Sequence, residues 1–163
     1  YDNVFKLAQG LAKLGINKSD KVALYLPNWP EYIYSYLALF SLGATVVPLD
    51  YMLTEEELVS CLTHCQAKAL IAKEKPIVSL ANLKEKVSSL GEIIVLEQVK
   101  TAFSNFNQVL ASGRPFPPQN IKIEDTDPAL IMYTSGTTGS PKGILLNYRH
   151  LTALLRQWSI LWI

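Results

Sequence analysis

The sequence predicts an α/β fold in which a parallel β-sheet is covered by helices on both faces. Short, almost unbroken apolar runs recur along the 163 residues, and segments with helical spacing lie between them. Strands buried on both faces, as in parallel sheets, lack the polar alternation of half-exposed strands. Apolar residues make up 49% of the chain, which is enough for a hydrophobic core without disulfides.

The first part of the chain alternates helices and strands. Apolar residues at helical spacing over residues 2–15 predict a first helix that ends at a glycine. The apolar run at 20–26 is stopped by a proline and predicts a buried strand. Residues 30–42 predict a helix with a proline in its first turn and a glycine just beyond its end. A second strand is predicted at 44–49.

The alternation continues through the middle of the chain. Thr54 and Glu57 match a capping box, so a third helix is expected to begin there. Acidic side chains at a helix N-terminus favour the helix dipole, and we therefore interpret the glutamates of this turn as structural rather than catalytic. Residues 68–72 and 92–96 predict two further strands, separated by a helix over 76–90.

The last part of the chain contains a connector and a pair of strands. Residues 112–128 hold four of the nine prolines and few apolar positions, which predicts a long surface connector. A strand is predicted at 129–133 and another at 143–147, on either side of a glycine-rich loop. Asn147 can cap a final helix that begins at Tyr148.

These elements predict a single domain in three parts. Residues 1–111 form a sheet-and-helix subdomain, and residues 112–128 form the connector. Residues 129–163 supply a strand, the glycine-rich loop and the start of the next helix.

The charge balance argues against a nucleic-acid partner. Lys and Arg number 15 against 14 Asp and Glu, so the net charge is +1 and no basic surplus is available for a phosphate backbone. The short lysine-rich clusters at 73–75 and 84–86 each contain a glutamate, and we interpret both as solvated surface. Charged residues make up only 18%, below the usual proportion of about 25%, which suggests that part of the surface is covered in the native protein.

The two cysteines predict buried thiols rather than a metal site. Cys61 and Cys65 lie four apart with His64 between them, and a structural zinc site would need a fourth ligand that no second cluster supplies. Residues four apart share one face of a helix, which suits burial.

Free thiols are typical of a reducing compartment, and no run reaches the roughly 20 apolar residues that span a bilayer. We therefore expect a cytoplasmic protein, with membrane contact at most peripheral.

The glycine-rich loop, residues 133–143, has the composition of a polyphosphate-binding segment. It reads YTSGTTGSPKG and holds three glycines, five hydroxyl residues and one lysine. Glycines let backbone N–H groups approach a ligand closely, hydroxyls add donors, and the lysine adds positive charge. The loop is therefore a candidate phosphate-binding site.

Two common phosphate-binding motifs do not fit this loop, and an ordinary glycine-rich connection is the remaining alternative. A Walker loop requires a second glycine where Pro141 stands, and it opens directly into a helix. The residues after Lys142 instead suit a strand. A dinucleotide fingerprint fails as well, because no GxGxxG sequence occurs.

The loop, together with other segments in the same order, resembles the adenylate-forming superfamily. That superfamily comprises acyl-CoA synthetases, luciferases and the adenylation domains of peptide synthetases. The segments at 15–50, 53–71 and 125–136 also resemble it, so the resemblance covers essentially the whole chain and is closest to fatty-acid–CoA ligases. It implies the first, incomplete part of the large N-terminal domain of such an enzyme.

The resemblance implies an enzymatic function for the parent protein. That function is ATP-dependent activation of a carboxylic acid to an acyl-adenylate, followed by transfer of the acyl group to coenzyme A. It implies phosphate contacts from Thr134, Ser135, Gly136, Thr137, Thr138, Gly139 and Lys142. Mg²⁺ is expected on the phosphates, with Thr137 in contact. No catalytic residue is assigned to this segment, and the fragment alone is expected to be inactive.

The resemblance also implies that later segments of the enzyme are missing. Trp158 and Trp162 lie four apart among leucines near the end of the chain. An apolar surface of this kind is expected to pack against the missing part, or to drive self-association of the isolated fragment.

One departure from the family pattern lies just after the loop. Asn147 and Tyr148 stand where the family often has Thr-His. His150 follows two positions late, and we interpret it as a helix-face residue without a catalytic role. Tyr32, Tyr34 and Tyr36 spread around the second helix and are interpreted as packing residues.

Two other functions compete with the ligase hypothesis. A truncated, non-catalytic homologue could act as a nucleotide- or protein-binding module. A generic nucleoside-triphosphate switch is disfavoured by the strand predicted after Lys142 and by the lack of an identifiable acidic partner strand.

Overall fold

The computed structural model describes residues 1–97, 103–118, 121–134 and 142–153. In chain order the elements are α1 (Asp2–Lys13), β1 (Lys21–Tyr25), α2 (Pro30–Ser41), β2 (Thr45–Pro48), α3 (Glu55–Cys65), β3 (Ala69–Ala72), α4 (Leu80–Lys86), β4 (Glu92–Val95), β5 (Ser104–Asn105), α5 (Phe106–Ser112), β6 (Pro128–Thr134) and β7 (Lys142–Asn147). Residues 148–153 are helical as well. Each strand predicted from the sequence is present, with ends shifted by at most a few residues.

The strands form one seven-stranded sheet in the order β5-β4-β3-β1-β2-β6-β7. Neighbouring strands from β5 across to β6 pair in parallel, as predicted. β7 differs, because it pairs antiparallel with β6. Only residues 135–141 separate these two strands, whereas a parallel crossover needs a dozen residues or more. The chain therefore turns straight back and adds β7 as a hairpin strand.

Helices cover both faces of the sheet, which confirms the predicted architecture. Side chains of α1, α2 and α5 pack in one apolar cluster with Val22 and Leu24 of β1. Side chains of α3 and α4 pack in the other cluster with Ala23 and Tyr25. Because successive residues of one strand point to opposite faces, β1 supplies both cores and is almost completely buried.

The β5–α5 unit was not predicted from the sequence. Asn105 caps α5 by accepting the Gln108 N–H at 3.2 Å, and Phe106 and Val109 then face the core. The backbone of α5 lies so close to α1 that a Cβ on Gly10 would come within 2.1 Å of the Val109 carbonyl oxygen. Glycine is therefore needed in the middle of α1, where its helix propensity alone would disfavour it.

The helix predicted at 76–90 is shorter in the structure. Ser79 caps α4, its Oγ accepting the Asn82 N–H at 3.3 Å, and a bridge between Lys75 and Val78 holds the preceding turn. At the other end Val87 is buried with an extended backbone, which stops the helix. A local cap and bridge therefore set the start of α4, and the burial of Val87 sets its end.

The predicted capping box of α3 is confirmed. Thr54 Oγ1 accepts the Glu57 N–H at 3.4 Å, and the Glu57 carboxylate accepts the Thr54 N–H at 2.8 Å. Glu55 has a different role, because it accepts hydrogen bonds from the Ser79 N–H and from Lys86, both at 2.8 Å. One carboxylate thus joins α3 to α4.

No helix in the described part of the chain is both long enough and apolar enough to cross a bilayer.

The contact of Glu55 with α4 predicts a pH-dependent contribution to stability. The bonds from Lys86, Ser79 and Asn82 lower the pKa of Glu55 to about 2, against about 4.3 for an unperturbed glutamate. The charged form is therefore favoured in the folded state, so its stabilisation is present above pH of about 4.3 and is lost as the pH falls towards 2. We expect Glu55→Gln to lower the free energy of unfolding near neutral pH, with a difference from wild type that shrinks in acid.

Urea unfolding of the chain at a series of pH values measures this difference. Glu56→Gln is the matched control, because Glu56 is the next residue of α3 and is exposed. A Glu55→Gln difference that stays constant from neutral pH down to about pH 2 would contradict the assignment.

Candidate functional site

The glycine-rich loop is held at both ends by paired strands. Thr134 at the end of β6 lies opposite Lys142 at the start of β7, and Tyr133 lies opposite Gly143. The strand predicted after Lys142 is therefore confirmed, and the chain does not enter a helix there as a Walker loop would. The hairpin therefore pairs a residue that bears a hydroxyl with a residue that bears an ammonium group at the base of the loop.

The structure places two of the predicted phosphate-contacting residues. Thr134 and Lys142 are both exposed to solvent. The remaining predicted contacts lie outside the described residues and stay predictions: Ser135, Gly136, Thr137, Thr138 and Gly139. The same is true of Thr137 as a magnesium ligand.

Tyr133 anchors the base of the loop to α3. Its hydroxyl donates to the Cys61 carbonyl oxygen at 3.1 Å, and it lies 2.7 Å from His64 Nδ1. Burial, followed by the neighbouring thiols of Cys65 and Cys61, raises the pKa of Tyr133, so the side chain stays a neutral phenol. The sequence did not indicate this contact, which joins residues far apart in the chain.

The cysteines of α3 are buried free thiols, as predicted. Burial, then the charges of Cys65 and Glu57, raises the pKa of Cys61 to about 11. Burial also raises the pKa of Cys65. Both thiols are therefore protonated and unreactive at neutral pH. In the described part of the chain, no three His, Cys, Asp or Glu side chains are grouped as a metal site would require.

An open cavity of about 550 Å³ lies beside Tyr133, at the carboxyl ends of β1, β2 and β6. Ligands of open α/β sheets bind outside these strand ends. The lining consists of tyrosines, apolar side chains, one amide and one carboxylate: Leu26, Pro27, Asn28, Tyr32, Tyr36, Pro48, Leu49, Asp50, Tyr51, Met132 and Tyr133. Because these described residues include no cation and do include Asp50, the cavity does not suit a phosphate.

The cavity lining was missed by the sequence analysis, although a signal for part of it was present. Leu26 to Asn28 directly follow β1, and Leu49 to Tyr51 directly follow β2, where the strand-end rule places ligand contacts. Tyr32 and Tyr36 pack against each other with ring centroids 5.6 Å apart, so the packing prediction is confirmed for them. They line the cavity in addition.

The lysine-rich cluster at 73–75 is more than solvated surface. Lys73 forms an ion pair with Glu97 at 2.5 Å and lies 5.0 Å from the centre of the Trp29 ring. Lys75 donates to the Tyr51 carbonyl oxygen at 2.8 Å. These lysines follow the carboxyl end of β3 and contact residues that follow β1, β2 and β4. The cluster at 84–86 is exposed, as predicted.

The prediction that Asn147 caps the following helix is wrong. Its Oδ1 is buried and has no hydrogen-bond partner among the described residues. The first helical N–H groups, those of Tyr148 and Arg149, instead donate to backbone carbonyls of Asp127 and Asp125 at 3.1 and 2.9 Å. A turn distant in sequence therefore supplies the acceptors that a capping side chain would otherwise provide.

Tyr148 and His150 have structural contacts in this helix. The Tyr148 hydroxyl donates to the Phe40 carbonyl oxygen at 3.1 Å, and the two rings meet edge to face at 5.8 Å. Tyr148 therefore fastens the helix that follows β7 to the end of α2. His150 is exposed, and its Nδ1 accepts the Asn147 N–H at 3.1 Å.

Known proteins are similar to this chain over nearly its whole length. A family model described as "AMP-binding enzyme" matches residues 1–162. The medium-chain fatty-acid–CoA ligase of Escherichia coli (strain K12) is 31% identical over 159 residues, covering 93% of this chain and 28% of that relative. The 4-coumarate–CoA ligase 1 of Solanum tuberosum is 31% identical over 157 residues, covering 93% of this chain and 27% of the relative.

Solved structures agree with these sequence relatives. The anthranilate CoA ligase AuaEII in complex with anthranoyl-AMP superposes with a TM-score of 0.83 at 25% identity, covering 94% of this chain and 30% of that one. A long-chain-fatty-acid-CoA ligase from Archaeoglobus fulgidus gives a TM-score of 0.77 at 29% identity, covering 97% and 31%. The chain thus spans between a quarter and a third of the length of these proteins.

The contact of Tyr148 with α2 predicts a measurable contribution to stability. Tyr148→Phe keeps the ring packing and removes the hydrogen bond to the Phe40 carbonyl oxygen. That carbonyl also accepts the Gly43 N–H, so it is not left without a partner. We expect a loss of about 1 kcal/mol in the free energy of unfolding, the usual net value of one hydrogen bond.

Denaturant unfolding of the chain measures the change, with Tyr1→Phe as the control because Tyr1 is 98% exposed. Equal stability of Tyr148→Phe and wild type would show that the hydroxyl contributes nothing.

Proposed function

Because the chain belongs to the AMP-binding enzyme family, we propose that it is the N-terminal part of an ATP-dependent carboxylic acid–CoA ligase. The ligase activities named for its sequence relatives support this proposal. The acid is of the fatty or related acyl class, since relatives of both medium-chain and long-chain specificity are similar to the chain. The chain alone lacks most of the length of those enzymes and is expected to be inactive.

The proposed reaction has two steps. The carboxylate oxygen of the acid attacks the α-phosphorus of ATP, the bond to the bridging oxygen breaks, and pyrophosphate leaves. The thiol of coenzyme A then attacks the carbonyl carbon of the acyl-adenylate, and AMP leaves. The first step brings an anion towards a polyanion, so neutralising the leaving pyrophosphate is the main electrostatic task.

The observation that carries this proposal is the pairing of Thr134 with Lys142 at the base of the glycine-rich loop. Lys142 can meet the β- and γ-phosphates as a point charge, and Thr134 can donate from its hydroxyl. The other predicted loop residues, Ser135 to Gly139, supply further hydroxyl and N–H donors. Each such bond to a charged oxygen contributes on the order of 1.5–3 kcal/mol.

Magnesium fits this arrangement as a partner of the phosphates. The two described residues at the loop base offer a hydroxyl and a cation but no carboxylate, so the chain itself suits the anionic phosphates better than a bare metal ion. Magnesium would share the phosphate charge, and Thr137 is the proposed contact. The phosphates and later parts of the enzyme would supply the remaining contacts to the metal.

The free edge of the sheet supports the proposal that later segments of the enzyme pack here. Among the described residues β7 is the last strand of the sheet, and Ile144 and Leu145 on it are 52% and 57% exposed. An apolar edge strand is an aggregation hazard when left open. We propose that the remainder of the ligase covers it, and that an isolated fragment self-associates.

Protonated buried thiols suit a cytoplasmic location, which is part of the same proposal.

The role proposed for Lys142 predicts a large loss of activity on its removal. In the whole protein that contains this chain, Lys142→Ala should lower acid-dependent ATP–pyrophosphate exchange by about 10²–10³-fold, the usual effect of losing one donor to transition-state charge. The fold should be retained, because Lys142 is exposed. The measurement is the exchange rate at saturating acid over a range of ATP concentrations.

Lys84→Ala is the matched control, since Lys84 lies on the exposed face of α4. Unchanged exchange in Lys142→Ala would contradict the role of Lys142. Failure of the wild-type protein to exchange with any acid of a broad panel, while it still binds ATP, would favour the non-catalytic homologue instead.

A further inference from the structure

The last turn of α3 and the end of β6 meet in a contact that the proposed reaction does not use directly. His64 Nδ1 lies 2.7 Å from the Tyr133 hydroxyl, and the two rings meet edge to face with centroids 5.7 Å apart. The same hydroxyl donates to the Cys61 carbonyl oxygen at 3.1 Å. His64 is exposed, so this contact is not part of the buried core.

The number of protons available for hydrogen bonds in this network indicates which groups donate and which accept. A carbonyl oxygen can only accept, so the single hydroxyl proton of Tyr133 is used in the bond to Cys61. With that proton used, the hydroxyl oxygen is free to accept, and we assign the His64 contact as a bond donated by Nδ1; the Cys65 thiol is a further hydrogen-bond neighbour of the same hydroxyl. Because the phenol stays neutral, both bonds persist at neutral pH.

Tyr133 also contacts the start of β7, so hydrogen bonds that hold its ring in place also restrain that strand. A Cβ on Gly143, its partner across the strands, would lie 3.4 Å from Cε1 and 3.5 Å from Cζ of the Tyr133 ring, and 3.1 Å from Ile131 Cγ2 on the same face. The ring therefore covers the backbone of Gly143, and an aromatic ring over a cross-strand glycine stabilises such a pair. Lys142 is the next residue along β7.

We propose that His64 is a positioning residue for Lys142, acting through Tyr133. The bonds of the Tyr133 hydroxyl to Cys61 and His64 come from two directions and add to the packing of the ring against the apolar cluster, and together they restrain the ring over Gly143. The ring in turn fixes the start of β7, from which the Lys142 side chain reaches the phosphates. The inference rests on the proposed function for the identity of the ligand that Lys142 meets.

The test uses variants of His64 in the whole protein. His64→Ala removes the donor, and His64→Asn returns an N–H donor near the position of Nδ1. We expect His64→Ala to lower the rate of pyrophosphate exchange at saturating acid about fivefold, the effect of one net hydrogen bond, with the KM for the acid unchanged. His64→Asn should recover most of that loss. Thr63→Ala is the control on the same turn, where Thr63 is exposed.

A double-mutant cycle with Lys142→Ala separates positioning from general destabilisation. If His64 acts through Lys142, His64→Ala has no further effect once Lys142 is alanine. Equal fold-losses in the two backgrounds would overturn the inference while leaving the role of Lys142 intact.

Backbone hydrogen exchange gives a second readout that does not depend on activity. His64→Ala should speed amide exchange in residues 131–134 and 142–144 and leave β1 unchanged, because only the strand pair under Tyr133 is loosened. Unchanged exchange in those segments would overturn the inference by itself. If the wild-type protein shows no acid-dependent activity, the proposed function fails, and this measurement still decides whether His64 holds the strand pair.

Discussion

The antiparallel pairing of β6 with β7 is the constraint on which the candidate site depends. β6 runs parallel to β2, so it ends at the same edge of the sheet as the buried strands. β7 returns at once beside it and brings Lys142 opposite Thr134. A glycine-rich loop anchored at only one end would pay the full entropy of ordering on binding a ligand. Pairing both ends removes part of that cost before any ligand arrives.

The rest of the fold supports that strand pair from one side. The capping box begins α3, and Glu55 joins α3 to α4. The last turn of α3 then contacts Tyr133 through His64 and the Cys61 carbonyl oxygen. Structural interactions at the start of a helix therefore bear on a site at its end, because a helix transmits position along its length.

The sequence predicted the parts of this structure that depend on local pattern. Buried strands were found because each is a continuous apolar run, and the α3 cap was found because its partners lie three residues apart. The antiparallel pairing of β7 with β6 could also have been predicted from the sequence, since the loop is too short for a crossover. The contacts of Tyr148, Lys73 and Tyr133 were not, because their partners lie far along the chain and no local pattern identifies them. The phosphate-binding role predicted for the loop rests on its residue types and on the resemblance, and it stays a prediction.

The cavity and the loop base differ in charge, so they would bind different parts of the proposed substrates. The cavity offers tyrosine rings and apolar side chains beside Asp50, which would repel a phosphate, and the loop base offers Lys142. Tyr133 belongs to both, since it lines the cavity and directly precedes Thr134. A ligand with an uncharged part and a polyanionic part would therefore be oriented by the sheet edge itself, with its anionic end directed to the loop. In the proposed reaction, which brings a carboxylate to a triphosphate, such separation of charged and uncharged surfaces would favour one orientation of the two substrates.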